Sequence, residues 1–389
     1  MAEEKKEKAL SVLSLTLEDK KWAENMIKKA DKPVEYIETG DIGLDLALTD
    51  GKGLPMGSST LFWAKPGCGK TTIVVDACKR LIQKSKATKT PFKAVYIGVE
   101  DSRGLISSLG MDEYIESGDF LYISGQLCWR QVEIIYTLAL KGEGNFKDTK
   151  LIVIDSINNV LSDQNMKSSV ADGDFGTKAR ERSNFYSKFL PLCKERGISS
   201  FFISQVRQKQ GATQFEDPNK AAVSNADLHN VDIILKCTSS LDKVDASKVE
   251  ETTVFGKDKV DLKRIFKMDS KATDCKNRYI KGNAVEVLYE KGKQVHNYYV
   301  LRKLLEGNKL ATKPSAGWWT LNKELCESFK LDTKEKMRTA ELNEILQNNA
   351  GKFVEFLKKA GMYKVGISEI EVAITDEDIE QEKAEDGEE

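Results

Sequence analysis

Between about residues 35 and 300 the chain alternates short apolar runs with longer stretches of helical periodicity. The runs at 59–63, 94–99, 151–154, 200–203 and 232–235 hold consecutive rather than alternating apolar residues, three of them after an opening Ser-Thr, Ser or Asp, which is the pattern of strands covered on both faces. Together with helical recurrence such as 73–82, they predict an α/β core around a central, mostly parallel sheet. Before this core, residues 1–34 repeat apolar positions at helical spacing (Leu10, Leu13, Leu17, Trp22, Met26) among Lys and Glu. That predicts amphipathic helices that need a surface to dock on.

Four regions follow from the pattern: a helical segment over 1–34, the core over 35–300, a small C-terminal domain over 301–375 and an acidic tail over 376–389. Leu304, Leu305, Trp318, Trp319, Phe353, Phe356 and Leu357 would build the small domain. Nine of the fourteen residues from Asp376 to Glu389 are acidic, a self-repelling composition expected to stay disordered. The polar stretch between Thr238 and Asp274 reads as a hairpin excursion rather than a second core.

The 389 residues carry 60 Lys and Arg against 61 Asp and Glu, so any phosphate or nucleic-acid site must arise from local clustering rather than bulk charge. Seven cysteines are scattered without a C-x-x-C pair, which argues against a zinc module or a disulfide framework. No apolar run approaches the roughly 20 residues of a membrane span, so the reading is a cytoplasmic protein with no membrane partner.

Chemistry enters with Ala64-Lys65-Pro66-Gly67-Cys68-Gly69-Lys70-Thr71-Thr72, which follows a predicted strand and opens a predicted helix. Gly67 and Gly69 allow backbone N–H groups to curl around a β-phosphate, Lys70 can bridge β- and γ-phosphates, and the Thr71 hydroxyl suits Mg²⁺. Lys65, Pro66, Cys68 and Thr72 complete the loop, and Ala64 departs from the usual first glycine. The run 151–154 ends in Asp155, a carboxylate placed to hold magnesium beside the phosphates. The run 94–99 ends in Glu100, which could activate a water molecule; a structural cap is the plainer role open to it. Cofactors implied are ATP and Mg²⁺.

Several separated segments resemble the RecA-type recombinases, including their phage UvsX branch. They are Thr39-Gly40-Asp41-Ile42-Gly43-Leu44-Asp45, Leu54-Pro55-Met56-Gly57, Tyr96-Ile97-Gly98-Val99-Glu100, Leu109-Gly110-Met111-Asp112, Ile154-Asp155-Ser156 and Phe202-Ile203-Ser204-Gln205-Val206-Arg207, all in the family's order. The resemblance implies a γ-phosphate-sensing role for Gln205, whose alternative is a satisfied amide in the sheet. It also implies a DNA-binding loop after Gln205, where Arg207, Lys209 and Phe215 mix cations with an aromatic as single-strand binding requires.

Upstream, Gly173-Asp174-Phe175-Gly176 and the following residues are similar to the family's first DNA loop, with Arg180 on the DNA backbone and Arg182 as an extrapolation from it. Lys276-Asn277-Arg278 resembles the basic pair that reaches a neighbouring subunit's ATP across a filament interface, Lys276 and Arg278 serving as catalytic cations. The implied function is a DNA-dependent ATPase that polymerises on single-stranded DNA as a helical homo-oligomer and pairs it with duplex DNA. A hexameric helicase or a nucleotide-binding scaffold on the same core is the rival reading.

Overall fold

A computed structural model describes residues 33–100, 102–167, 175–206, 223–241, 263–290, 292–329 and 336–363. The chain divides into two compact units, Met1–Glu35 and Tyr36–Glu389. The helices expected over 1–34 fall almost wholly outside the described residues, as does the acidic tail.

In chain order the strands are β1 (Tyr36–Ile37), β2 (Leu54–Pro55), β3 (Ser59–Ala64), β4 (Lys93–Gly98), β5 (Phe120–Ser124), β6 (Thr149–Asp155), β7 (Ser199–Gln205), β8 (Ile233–Leu241), β9 (Lys263–Asp269), β10 (Lys276–Asn277), β11 (Ala284–Glu290) and β12 (Gln294–His296). Three more, β13 (Ala311–Ser315), β14 (Trp318–Leu321) and β15 (Met337–Arg338), form a small antiparallel sheet. The main sheet runs β12-β11-β9-β8-β3-β7-β6-β4-β5, with β10 pairing on β8. From β8 to β5 every pairing is parallel, and the β9–β11–β12 extension is antiparallel. The mixed α/β architecture with a mostly parallel sheet is the one that the apolar runs predict.

All six residues of β3 are buried, because helices cover both faces of the sheet. Phe62 and Ala64 point into one apolar layer with Ile73, Val74 and Cys78 of the helix Lys70–Thr88. Leu61 and Trp63, one residue out of phase, point into the other with Val132 and Tyr136 of the helix Trp129–Lys141 and Phe185 and Phe189 of the helix Phe175–Arg196. This period-two division is the strand geometry itself. The first layer continues through Leu304, Leu305, Trp319, Phe353 and Leu357. The described ends of the polar excursion pair as a hairpin, Lys236 opposite Asp269 and Leu241 opposite Arg264.

All seven cysteines are free thiols and five are buried. Among the described residues no helix is long and apolar enough to cross a membrane.

Candidate nucleotide site

Parallel pairing brings the carboxyl ends of β3, β4, β6 and β7 to one edge of the sheet, the position at which open α/β sheets place ligands. Four of the sequence candidates are carried there by four different strands: the loop after β3, Glu100 after β4, Asp155 at the end of β6 and Gln205 at the end of β7.

The loop after β3 turns through two left-handed glycines, Gly67 at φ +76° and Gly69 at φ +99°. At Gly67 the backbone alone requires glycine, since an added Cβ would meet nothing within 4 Å. At Gly69 a Cβ would also strike the Tyr289 ring at 2.5 Å. Tyr289 braces the loop from β11, its hydroxyl donating to the Cys68 carbonyl at 2.7 Å.

Lys70 is buried, and its ammonium donates to the carbonyls of Ala64 at 3.1 Å and Lys65 at 3.0 Å. Burial pulls its pKa below the ordinary lysine value, while the charges of nearby acidic groups, Asp155 and Glu100 among them, resist the shift. Lys65, Pro66 and Gly67 are exposed, Cys68 and Thr71 are half-buried, and Thr72 is buried.

Thr71 Oγ1 donates to Asp155 Oδ2 at 2.7 Å. The same oxygen accepts from the Tyr96 hydroxyl at 2.6 Å. Burial raises Asp155 above the usual carboxylate range and the charge of Glu100 adds to this, while the two hydroxyls oppose it. A hydroxyl and a carboxylate oxygen side by side are the hard oxygen donors that Mg²⁺ takes, with substrate phosphate and water filling its remaining positions. No cluster of three or more His, Cys, Asp or Glu that could hold a metal alone occurs among the described residues.

Glu100 Oε1 accepts three hydrogen bonds: from Gln205 Nε2 at 2.6 Å, Asn159 Nδ2 at 2.6 Å and Ser156 Oγ at 3.0 Å. Sequence reasoning did not select Tyr96, Ser156, Asn159 or Tyr289. Tyr96 carried a signal in hindsight, being a hydroxyl within a strand buried at five of its six positions, where an O–H must find a partner.

Lys276 and Arg278 lie away from this edge. Lys276, on β10, pairs with Ile234 near the start of β8, whereas the loop follows the other end of β3. Arg278 donates to Asp232 Oδ1 at 3.1 Å and to the His229 carbonyl at 2.6 Å, and the Lys276 ammonium donates to the Leu228 carbonyl. Burial, reinforced by Arg278, lowers Lys276 to about 8. Within one chain the basic pair does not meet the phosphate loop.

Arg180 is exposed on the helix Phe175–Arg196. Arg182 is 8% exposed, ion-paired with Asp227 and donating to Asn158 Oδ1 at 3.3 Å and the Tyr186 hydroxyl at 3.2 Å. The DNA-contact expectation for Arg182 is therefore corrected: its guanidinium is spent inside the protein. Arg207, Lys209 and Phe215 lie outside the described residues.

Residues 9–267 match the model of the RecA N-terminal domain family. Similar curated proteins include Protein RecA of Nautilia profundicola, 28% identical over 57% of this chain and 60% of the relative. Protein RecA of a Nitratiruptor species is 29% identical over 57% and 61%, and that of Campylobacter fetus 29% identical over 58% and 62%. The matched portion thus spans about three fifths of the length of these relatives.

Proposed function

The chain belongs to the RecA family, and on that premise we propose that it is a DNA-dependent ATPase that assembles on single-stranded DNA and carries out homologous pairing and strand exchange with duplex DNA. The single observation that carries this reading is the Gln205–Glu100 hydrogen bond at the edge shared by the phosphate loop and Asp155. It ties the last residue of β7, which leads directly into the segment expected to bind DNA, to the carboxylate expected to activate water.

In this reading the N–H groups between Gly67 and Thr71 hold the phosphates at the start of the helix Lys70–Thr88, where the helix dipole favours negative charge. Lys70, now satisfied by two loop carbonyls, turns to the phosphates. Thr71 and Asp155 would hold Mg²⁺, which supplies charge neutralisation at the transferred phosphoryl group. Glu100 orients and deprotonates the attacking water. Gln205, a neutral amide, exchanges its bond to Glu100 for one to phosphate, and this switch moves the strand end that leads into the DNA segment. Lys276 and Arg278, remote from their own loop, complete the site of the next protomer, so ATP acts between subunits of a filament.

ATP turnover with and without single-stranded DNA, at low and moderate salt, alongside negative-stain imaging of the same mixtures, tests this reading. Stimulated hydrolysis with continuous filaments is the expected result. Closed rings would instead favour a hexameric helicase, and neither turnover nor assembly would overturn the assignment.

A further inference from the structure

We propose that Asn159 is a positioning residue for Glu100, holding the carboxylate in place while Gln205 leaves it. The proposal rests on the reading of Glu100 as the group that activates water. Asn159 closes the short 3-10 turn Ile157–Asn159 directly after β6, so the strand that delivers Asp155 also delivers Asn159.

All three donors to Glu100 take the same oxygen, Oε1. An ionised carboxylate oxygen offers two lone-pair directions, so three donors compete for two places and one can withdraw without leaving the charge unsatisfied. Geometry decides which one. Ser156 is fully buried, and the backbone N–H of Asn159 donates to the Ser156 carbonyl at 3.0 Å. Between them, Asn158 is pinned to Ser204 Oγ at 3.0 Å, to the Gln205 carbonyl at 3.1 Å and to Arg182 at 3.3 Å. The turn is therefore held from several sides, and the bond to the Gln205 carbonyl fixes that residue's backbone too, so what is left to turn is the half-buried Gln205 side chain at the end of β7.

Removing a donor from a charged group costs more than removing one from a neutral group. With Ser156 and Asn159 in place, Gln205 can turn to phosphate without that cost and without Glu100 swinging after it. Without Asn159, Glu100 would keep Ser156 alone at the moment Gln205 departs. Asn159 touches no reacting atom; its amide acts through Glu100. Its side chain is exposed apart from this bond, so its truncation should leave the fold intact.

The test uses the full chain with ATP, Mg²⁺ and saturating single-stranded DNA, comparing wild type with Asn159→Ala, Asn159→Asp and Glu100→Gln. Asn159→Ala should lower kcat about tenfold, the scale of one hydrogen bond to a charged group, with the ATP KM within about twofold because the phosphate loop is untouched. Asn159→Asp keeps the shape but presents an acceptor to a carboxylate, and should fall further. Unchanged kcat in Asn159→Ala beside an inactive Glu100→Gln overturns the positioning role and spares Glu100. Full activity in Glu100→Gln, or no turnover in wild type, removes both. A fall in kcat matched by a lower unfolding temperature or weaker ATP affinity would make Asn159 merely structural and overturn the proposal as well.

Discussion

Gln205 donates a hydrogen bond to Glu100 across two strand ends, Nε2 to Oε1 at 2.6 Å, although 105 residues separate them in the chain. The bond exists because β7 and β4 both pair with β6 in parallel, with Gly98 and Ile203 each opposite Asp155. Their carboxyl ends thus flank Asp155.

If this amide reports phosphate to the DNA segment, Gln205→Ala should bring the ratio of DNA-stimulated to basal ATP turnover down toward one. Gln205→Glu should do the same and also destabilise the site, since it sets two carboxylates where a 2.6 Å hydrogen bond now stands. Turnover assays over a DNA titration decide this, and full stimulation in Gln205→Ala would remove the sensor role.

Two arginines on one helix should behave in opposite ways. Arg182 and Asp227 form a buried ion pair, with Asp227 also accepting from the Tyr186 hydroxyl at 2.6 Å. Asp227→Ala leaves a buried cation unpaired and should cost about 3–5 kcal/mol in urea unfolding. Arg180→Ala, on the exposed side, should leave the unfolding midpoint alone. It should instead weaken single-strand binding and reduce the salt slope by about 0.7, the share of a single phosphate on a single strand. Equal salt slopes would mean that Arg180 does not touch the DNA backbone.

The parallel core was legible because strands buried on both faces cannot hide their hydrophobicity, and the candidates at strand ends were legible because a sheet edge gathers them by topology. β5 was not among the expected strands although Phe120-Leu121-Tyr122-Ile123 is an apolar run; it is the edge strand, and only Phe120 of its five residues is fully covered. Arg182 was misread although its helix carried a signal. Arg182, Tyr186, Phe189 and Cys193 recur at helical spacing and are all buried, which puts the arginine on the inward stripe. Its partner Asp227 lies beyond the segment 207–222 and could not be named from spacing. Asn159 was illegible for the same reason: its hydrogen bond to Glu100 depends on how β4 and β6 lie side by side.

Acidic groups buried away from the nucleotide edge predict a pH dependence of stability. Burial pushes Asp45 up to about 7 and Asp41 up to about 6, from an ordinary value of 3.8. Asp41 caps the helix Ile42–Thr49 with Oδ1, while its Oδ2 is buried without a hydrogen-bond partner. Between about pH 4 and pH 7 the folded chain therefore holds protons that the unfolded chain has released, so stability falls as pH rises through that window and stays low above it. The fall is on the order of a few kcal/mol. Asp45→Asn keeps an acceptor for the Thr39 amide and hydroxyl, which bind Oδ1 at 2.8 and 2.7 Å. It should flatten the difference between urea midpoints at pH 5 and pH 8. An identical difference in wild type and variant would show that Asp45 does not titrate in this range.

The remoteness of Lys276 and Arg278 from their own phosphate loop yields the sharpest test of assembly. Arg278 pairs with Asp232, whose other oxygen accepts from the amide and hydroxyl of Ser59 at 3.0 and 3.1 Å. That anchors it at the first residue of β3, while the loop follows the last, six residues on and roughly 17–20 Å away along the strand. Such a pair can act on ATP only from another protomer. Lys70→Ala and Arg278→Ala should each be inactive alone, one for want of the loop lysine and the other for want of the neighbour's cation. Mixed in equal amounts on single-stranded DNA, they create interfaces where the intact loop of one meets the intact cation of the other. Random assembly makes about a quarter of the interfaces of that kind in a head-to-tail filament, and turnover should recover to about that fraction. Fluorescent labels on the two variants would establish that they share filaments. Shared filaments without recovered turnover would mean that Arg278 does not complete a neighbour's site.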